Sequence, residues 1–162
     1  MRAFIERLEY FVLISFSLNG KALCCPSGWM THGTNCYHFS HDTESWIGAL
    51  YFCREYGGQL LEIQNAAENE YIKAQVKLQN KNFWIALSDA EEEGTWIWMN
   101  SKTPLSSTGF SDWAPGEPNN MGRNQNCGCF YLTPYFKWDD CLCHENHNYI
   151  CEKPDGSGEI IG

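Results

Sequence analysis

The sequence predicts an α+β domain in which two helices precede short strands and a long polar loop. Apolar residues recur at helical spacing between residues 43 and 78, which predicts the helices. Short apolar runs bounded by turn residues follow and predict strands. The pattern changes from Ser88 to Asn126, where one short strand is followed by a long stretch rich in Gly, Pro, Ser and Asn. A structureless loop of that length in a compact domain is usually functional or disordered. Helices grouped ahead of strands indicate an α+β architecture.

The first 22 residues are predicted to be a signal peptide. Arginines precede the apolar run Tyr10–Leu18, and Gly20-Lys21-Ala22 supplies small residues for cleavage. The run is too short to span a bilayer, so we expect secretion to the extracellular space without membrane insertion. Two acidic residues before the run keep open the alternative of a helix or strand that stays on the protein. The rest divides into a domain at residues 23–153 and a flexible tail at residues 154–162.

A hairpin and a helix open the predicted domain. The turn cluster Gly33-Thr34-Asn35 predicts a hairpin closed by a local disulfide. Thr43 is the expected N-cap of the first helix, and Gly57-Gly58 ends it because glycine tolerates the left-handed conformation. The apolar positions of this helix are Trp46, Ala49, Leu50 and Cys53.

The second helix and the strands have local signals of their own. Asn65 is the expected N-cap, Glu68 completes a capping box, and the helix runs towards Leu78. Phe83–Leu87 is uniformly apolar, which predicts a buried strand, and Thr95–Trp98 predicts a short one. Further strands are expected at Cys127–Leu132, Phe136–Asp140 and Asn148–Cys151.

Composition and charge exclude two classes of protein. Seven Trp, eight Tyr and nine Phe provide a large core, which excludes intrinsic disorder. Among them, Trp113 and Trp138 are expected to pack beneath the long loop. The net charge of −9 argues against a nucleic-acid partner, since phosphate binding needs clustered Lys and Arg. The same acidity suits calcium binding or solubility alone.

Nine cysteines in an exported chain predict a disulfide framework. The first predicted bond closes the hairpin, the second ties the ends of the domain together, and the last two share one antiparallel register. These bonds are Cys25–Cys36, Cys53–Cys151, Cys127–Cys143 and Cys129–Cys141. Cys24 is left over and is a candidate link to a second copy of the chain in a homodimer.

Zinc is an alternative role for part of this framework. The Cys-x-Cys pairs at residues 127–129 and 141–143, together with His144 and His147, are ligands suited to zinc. Their spacing differs from the two-residue zinc knuckle, and export favours disulfides. A zinc hydrolase is the one enzyme class that these residues leave open, and we expect no enzyme activity.

Oxygen-bearing side chains from two distant segments form a candidate calcium site. Calcium takes six to eight oxygens from carboxylates and amide carbonyls. A cis peptide bond at Pro118 would turn both neighbouring side chains towards one point. The alternative is an ordinary solvated polar turn. The candidate ligands are Glu117, Asn119, Gln125, Asp139 and Asp140.

Motifs in a fixed order run through most of the chain. They are Cys25-Pro26…Trp29…Cys36-Tyr37, Trp46…Ala49…Phe52-Cys53…Gly57-Gly58-Gln59-Leu60, Trp84-Ile85-Ala86-Leu87, Trp113…Gly116-Glu117-Pro118-Asn119, Trp138-Asp139-Asp140…Cys143 and Ile150-Cys151. In order and spacing, the region from Cys25 to Lys153 resembles the C-type lectin family. The resemblance implies a C-type lectin-like fold, with two helices flanking small antiparallel sheets and a long loop that binds Ca²⁺.

The resemblance also implies sugar binding, in which two vicinal hydroxyls coordinate a protein-bound calcium ion. The Glu-Pro-Asn form implies mannose-type ligands with equatorial 3- and 4-hydroxyls. Gln125 stands where mannose-type members have Glu, and Asp139 stands where they have Asn. The two exchanges change the charge in opposite directions, so the pair looks compensatory. Glu117 with Asn119 would then serve one hydroxyl, and Asp139 with Gln125 the other.

An auxiliary calcium site of the family would use Asp89, Glu93, Asn120, Gln125 and Asn126. Three of these residues are amides, so the charge that attracts the ion is small. The alternative is that Asp89 and Glu93 are ordinary exposed acids.

The function that these residues predict is calcium-dependent binding of mannose-type glycans, in innate immunity or cell adhesion. The expected partners are glycans with vicinal equatorial hydroxyls. A single sugar should bind weakly, so several domains would be needed for useful avidity. The alternative function is a calcium-independent C-type lectin-like module that binds protein, ice or mineral.

Overall fold

The computed structural model describes residues 25–132 and 135–156. The predicted signal peptide, Cys24 and residues 157–162 lie outside the described residues. No helix in the described ranges is long and apolar enough to cross a membrane. The elements are β1 (Met30–His32), β2 (Asn35–Phe39), α1 (Trp46–Glu55), β3 (Gln59–Leu60), α2 (Ala66–Gln79), β4 (Phe83–Ser88), β5 (Ile97–Trp98), α3 (Leu105–Thr108), a 3₁₀ turn (Met121–Arg123), β6 (Cys127–Tyr131), β7 (Lys137–Cys141) and β8 (Asn148–Pro154).

The strands form a mixed sheet in the order β1-β2-β8-β4-β6-β7, with β3 paired to β8 and β5 paired to β4. The α+β class is confirmed. The expectation of antiparallel sheets is wrong at one place, because β4 and β8 pair in parallel through Phe83–Asn148 and Trp84–Tyr149. The last strand therefore returns to the middle of the sheet, where it pairs with β2 and β4 and its first five residues are buried.

The caps of both helices follow local hydrogen-bonding chemistry, with two corrections. Ser45 caps α1 in place of Thr43, and its hydroxyl accepts from Gly48 N at 3.2 Å. Asn65 caps α2 as predicted. The capping box is only half formed, because the Glu68 carboxylate accepts from Gln64 N and from the Tyr37 hydroxyl, at 2.8 and 2.6 Å. Glu68 therefore ties α2 to the N-terminal hairpin.

Aromatic side chains fill the core as predicted. All six residues of β4 are buried, and the tryptophans at positions 46, 84, 96 and 98 are buried with them. Trp138 is fully buried, and its indole N–H donates to Asn69 Oδ1 at 3.0 Å. Its ring also makes edge contacts with Trp98, Phe110 and Trp113. Trp138 thus joins β7, α2 and the long loop in one packed unit.

Four disulfides join the predicted pairs of cysteines, which are Cys25–Cys36, Cys53–Cys151, Cys127–Cys143 and Cys129–Cys141. The predicted register is wrong by two residues, since Cys127 lies opposite Cys141 and Cys129 lies opposite Asp139. Both bonds therefore run diagonally across the β6–β7 hairpin. The bond that closes the longest loop, with a sequence separation of 98, stabilises the fold by about 4 to 5 kcal/mol in the chain-entropy model.

The predicted tail begins too early. Pro154 belongs to β8 and lies opposite Asn35. Asp155 is also buried, and its backbone N–H donates to Thr34 O at 2.9 Å. The first residues of the expected tail are therefore part of the sheet, where their hydrogen bonds close the N-terminal hairpin.

Gly58 sits where the turn after α1 presses against β8, so we expect Gly58→Ala to destabilise the domain. A Cβ there would lie 2.6 Å from Glu152 O and 3.0 Å from the Trp29 ring. Overpacking of this kind costs roughly 1–3 kcal/mol. At Gly48 the nearest atom to a new Cβ is the end of the Glu44 side chain, so Gly48→Ala in α1 should be neutral or stabilising. Thermal unfolding checks both variants, and equal unfolding temperatures would contradict the expectation.

Candidate metal centre

Three of the predicted ligands converge at the end of the long loop. One carboxylate oxygen from each of Glu117, Asp139 and Asp140 lies within 4.8 Å of the others. Glu117 comes from the loop, whereas the two aspartates come from β7. The side chains are half-buried or, for Asp140, fully buried, so water screens their repulsion poorly.

Hydrogen bonds from the loop to Asp140 hold this cluster together. Asn119 N and Asn120 N both donate to the Asp140 carboxylate. The Asn119 side-chain amide donates to Glu117 Oε1 at 2.8 Å. The Glu117–Pro118 peptide bond is cis, as the sequence suggested. Three of the five predicted ligands, Glu117, Asn119 and Asp140, are therefore joined by hydrogen bonds, and Asp139 lies beside them.

Unpartnered oxygen atoms show that this cluster fits a divalent cation. Glu117 Oε2, Gln125 Oε1 and Asp89 Oδ1 are buried without a hydrogen-bond partner among the described residues. Buried acceptors are normally paired, because leaving one unpaired costs about 1–3 kcal/mol. Carboxylate and amide oxygens are the ligands that Ca²⁺ takes. The donor set present here therefore suits calcium.

Burial and like charges raise the pKa values of two of these carboxyl groups. Desolvation raises the pKa of Glu117 to about 7, assisted by the neighbouring carboxylates of Asp140 and Asp139. Desolvation and the charge of Asp140 raise the pKa of Asp139 to about 6. A cation bound between them would favour the ionised forms and lower both pKa values.

The auxiliary candidates lie beside this cluster and are linked to it by Asn120. The Asn120 side chain donates to Glu93 Oε2 and accepts from Gln125 N. Asp89 is only 3% exposed, and its Oδ2 accepts from Gly94 N at 2.8 Å, so it is not an ordinary exposed acid. Burial raises the pKa of Asp89.

Two predicted contacts differ from expectation. Gln125 and Asp139 share no hydrogen bond in the described part of the chain. If both bind one sugar hydroxyl, each therefore contacts that hydroxyl without first being held by the other. Asn126 contributes its backbone carbonyl, which accepts from Ser88 Oγ at 2.6 Å and from Asp89 N at 3.3 Å. Asn126, which directly precedes β6, thus holds the chain where it leaves β4 at Ser88 and Asp89.

The zinc alternative is wrong. Sulfur atoms of Cys129 and Cys141 lie within 4.8 Å of a His147 ring nitrogen. Both cysteines are bonded to each other, and Cys127 is bonded to Cys143. Zinc binds the thiolate form of cysteine, which a disulfide does not provide. A zinc hydrolase built on these residues is therefore excluded.

Sequence reasoning did not single out the ion cluster behind the site. Asp112 in the loop binds Lys73 of α2 and Lys137 of β7. Asp112 directly precedes Trp113 in the loop, and Lys137 directly precedes Trp138 in β7. Predicted metal ligands follow both tryptophans. That repeated order was the available signal.

Comparison with known proteins identifies the family of this domain, which is a family of non-enzymatic binding domains. Residues 42–153 match the profile of the family described as Lectin C-type domain. The chain belongs to the C-type lectin family. The match covers both helices and every candidate ligand.

Three similar proteins illustrate the range of this family. A C-type lectin, mannose-binding isoform, from Notechis scutatus scutatus is 34% identical over 149 residues, covering 87% of this chain and 91% of its own. The carbohydrate-recognition domain of the mouse scavenger receptor C-type lectin superposes with a TM-score of 0.73 at 30% identity, covering 80% of this chain and 96% of its own. A calcium-independent type II antifreeze protein superposes with a TM-score of 0.70 at 30% identity, covering 81% and 95%.

The raised pKa values predict that stability without calcium decreases as the pH rises. The unfolded chain releases the protons of Glu117 and Asp139 near pH 4, whereas the folded protein holds them to about pH 6 or 7, so the loss falls in that window. In chelator, the unfolding temperature should fall between about pH 4 and pH 7, and saturating calcium should abolish or reverse this fall.

The variant Glu117→Gln isolates the contribution of the site from that of Glu152, whose pKa burial also raises to about 7. The variant should show a smaller decrease than the wild type in chelator. Glu55→Gln, on the exposed face of α1, is the matched control and should behave as wild type. An unchanged pH dependence in Glu117→Gln would refute the assigned repulsion.

Proposed function

We propose that this domain binds mannose-type glycans through a calcium ion held by Glu117, Asn119, Gln125, Asp139 and Asp140. The convergence of three carboxylates with an unpartnered Glu117 oxygen carries the proposal. The five side chains supply three carboxylates and two amides, which is a calcium-binding set. Two vicinal hydroxyls of a sugar would complete the coordination sphere.

Hydrogen bonding at the same residues would orient the sugar. A hydroxyl on calcium donates to a carboxylate and accepts from an amide N–H. Asn119 Nδ2 and Glu117 Oε1 lie 2.8 Å apart, so one sugar hydroxyl can contact both side chains. The second hydroxyl would donate to Asp139 and accept from Gln125. This arrangement suits equatorial 3- and 4-hydroxyls, and the similarity to a mannose-binding lectin supports the choice.

An auxiliary calcium ion would use Asp89 and Glu93, with Asn120 and the neighbouring amides of Gln125 and Asn126. The unpartnered Oδ1 of Asp89 supports this second ion. Because Asn120 contacts both clusters, the auxiliary ion would order the loop that carries the main site. Affinities in the range of extracellular modules, about 10⁻⁴–10⁻³ M, are expected.

We propose the protein is secreted after loss of residues 1–22 and recognises glycans in innate immunity or cell adhesion. Four disulfides support an oxidising, extracellular compartment. Nine cysteines with eight paired leave Cys24 to link two copies. Two sites in one dimer would raise the avidity for a clustered glycan.

A calcium-independent binding module is the second candidate. The similarity to a calcium-independent antifreeze protein favours it, since that fold operates without the ion. The three clustered carboxylates and the unpartnered Glu117 Oε2 favour the calcium-dependent function here, because a cation would offset their desolvation and repulsion.

Retention on immobilised mannose tests the proposal directly. The wild-type protein should be retained in millimolar calcium and eluted by chelator. Glu117→Ala should pass through the column, because it removes a ligand and a hydroxyl acceptor together. Glu55→Ala, on the exposed face of α1, should be retained. Retention that survives chelator would favour the calcium-independent module instead.

The exchange at positions 125 and 139 predicts compensation between two substitutions. Gln125→Glu alone and Asp139→Asn alone each leave the second hydroxyl without one of its two kinds of partner, so each should abolish retention. The double variant restores one carboxylate and one amide, and it should bind mannose again. Calcium affinity measured beside sugar binding separates loss of the ion from loss of the sugar. A double variant that stays inactive would contradict the assigned roles.

A further inference from the structure

A buried ion cluster lies behind the candidate metal centre. The Asp112 carboxylate accepts hydrogen bonds from Lys137 Nζ at 2.5 Å, Lys73 Nζ at 2.7 Å and Asn69 Nδ2 at 2.8 Å. The side chains of Asp112 and Lys73 are 12% and 10% exposed, and that of Lys137 is 34% exposed. Burial alone would raise the pKa of Asp112, but these three donors lower it, so Asp112 stays ionised.

The backbone beside this cluster joins the long loop to β7. Trp138 N donates to Asp112 O at 3.0 Å, and Ala114 N donates to Trp138 O at 2.8 Å. These two bonds place Trp113 alongside Trp138 in a single parallel bridge. A bridge of one residue pair contains only two backbone hydrogen bonds, and a contact this short opens locally more readily than a long strand ladder.

Both arms of the metal centre leave from this bridge. The loop continues from Asp112 to Glu117, and the strand continues from Lys137 to Asp139 and Asp140. The three ligands at the ends of the arms carry like charges within 4.8 Å, so they push the arms apart. The Asp112–Lys137 ion pair spans the two arms at their base, where it opposes that separation.

We propose that Asp112 and Lys137 are positioning residues that set the calcium affinity of the site by clamping the loop to β7. The inference rests on the proposed function, because it assigns a role to residues behind the same site. Neither residue contacts the ligand oxygens in the described structure. Lys73 anchors Asp112 to α2 instead, so it contributes to stability without joining the two arms.

The two lysines therefore predict a crossed pattern of effects. Lys137→Met should weaken calcium binding about tenfold, the scale seen when residues that orient metal ligands are removed. Lys73→Met should change the calcium affinity about twofold or less, yet lower the unfolding temperature more, because Lys73 is the more buried lysine. Lys77→Met, on the exposed face of α2, controls for loss of one positive charge.

Calorimetric titration with calcium and thermal unfolding in chelator give the two readouts on the full chain. The crossed pattern supports the clamp. Losses of calcium affinity that are equal in Lys73→Met and Lys137→Met, or that are larger in Lys73→Met and so follow the loss of stability, would overturn it in favour of a purely structural role.

Amide hydrogen exchange in chelator separates failure of the clamp from failure of the proposed function. The Ala114 amide, which donates to Trp138 O, should exchange about tenfold faster in Lys137→Met than in Lys73→Met. If the wild type binds no calcium, the proposed function fails. The exchange ratio then still shows whether Lys137 holds the loop to β7. Equal exchange in both variants would overturn it.

Discussion

Repulsion among three carboxylates is the constraint on which this end of the molecule depends. Glu117, Asp139 and Asp140 meet within 4.8 Å, and burial deprives them of much of the screening that water would supply. Such a cluster survives only if stronger interactions hold its parts in place. Burial, and after it the charges of the neighbouring carboxylates, raise the pKa values of Glu117 and Asp139 to about 7 and 6, so three ionised carboxylates are unfavourable here without a cation.

Disulfides, a buried tryptophan and backbone hydrogen bonds hold the elements that carry the cluster. Two diagonal disulfides fix β7 to β6 immediately after the aspartates. The buried Trp138, which directly precedes the aspartates in β7, packs under the loop against Trp113 and donates a hydrogen bond to α2. Two backbone N–H groups hold Asp140 from the loop side. The fold thus supplies rigidity, and a bound cation would supply the missing positive charge.

Local chemistry was predictable from the sequence, whereas long-range partners were not. Asn65 as a cap, β4 as a buried strand and the converging ligands each follow from residue types at short spacing or from family motifs. Glu68 left its expected capping role because Tyr37, thirty-one residues away, competes for the carboxylate. Likewise, the parallel pairing of β8 with β4 is decided by packing in the centre of the sheet, which hydrophobic periodicity does not encode.

The candidate site shows the same division, and Asn120 illustrates it best. The family resemblance made Asn120 a candidate ligand of the auxiliary site. In the structure its backbone N–H donates to Asp140, its side-chain amide donates to Glu93, and its Oδ1 accepts from Gln125 N. A carbonyl oxygen has two lone pairs, so Oδ1 can accept from Gln125 and still coordinate an ion. An ion held by Asp89 and Glu93 would then also bind Asn120, the residue that is hydrogen-bonded to both Gln125 and Asp140. Occupancy of the auxiliary site would therefore affect the main site through Asn120, and the two ions would bind with coupled affinities because this ligand of one ion holds two ligands of the other, Gln125 and Asp140.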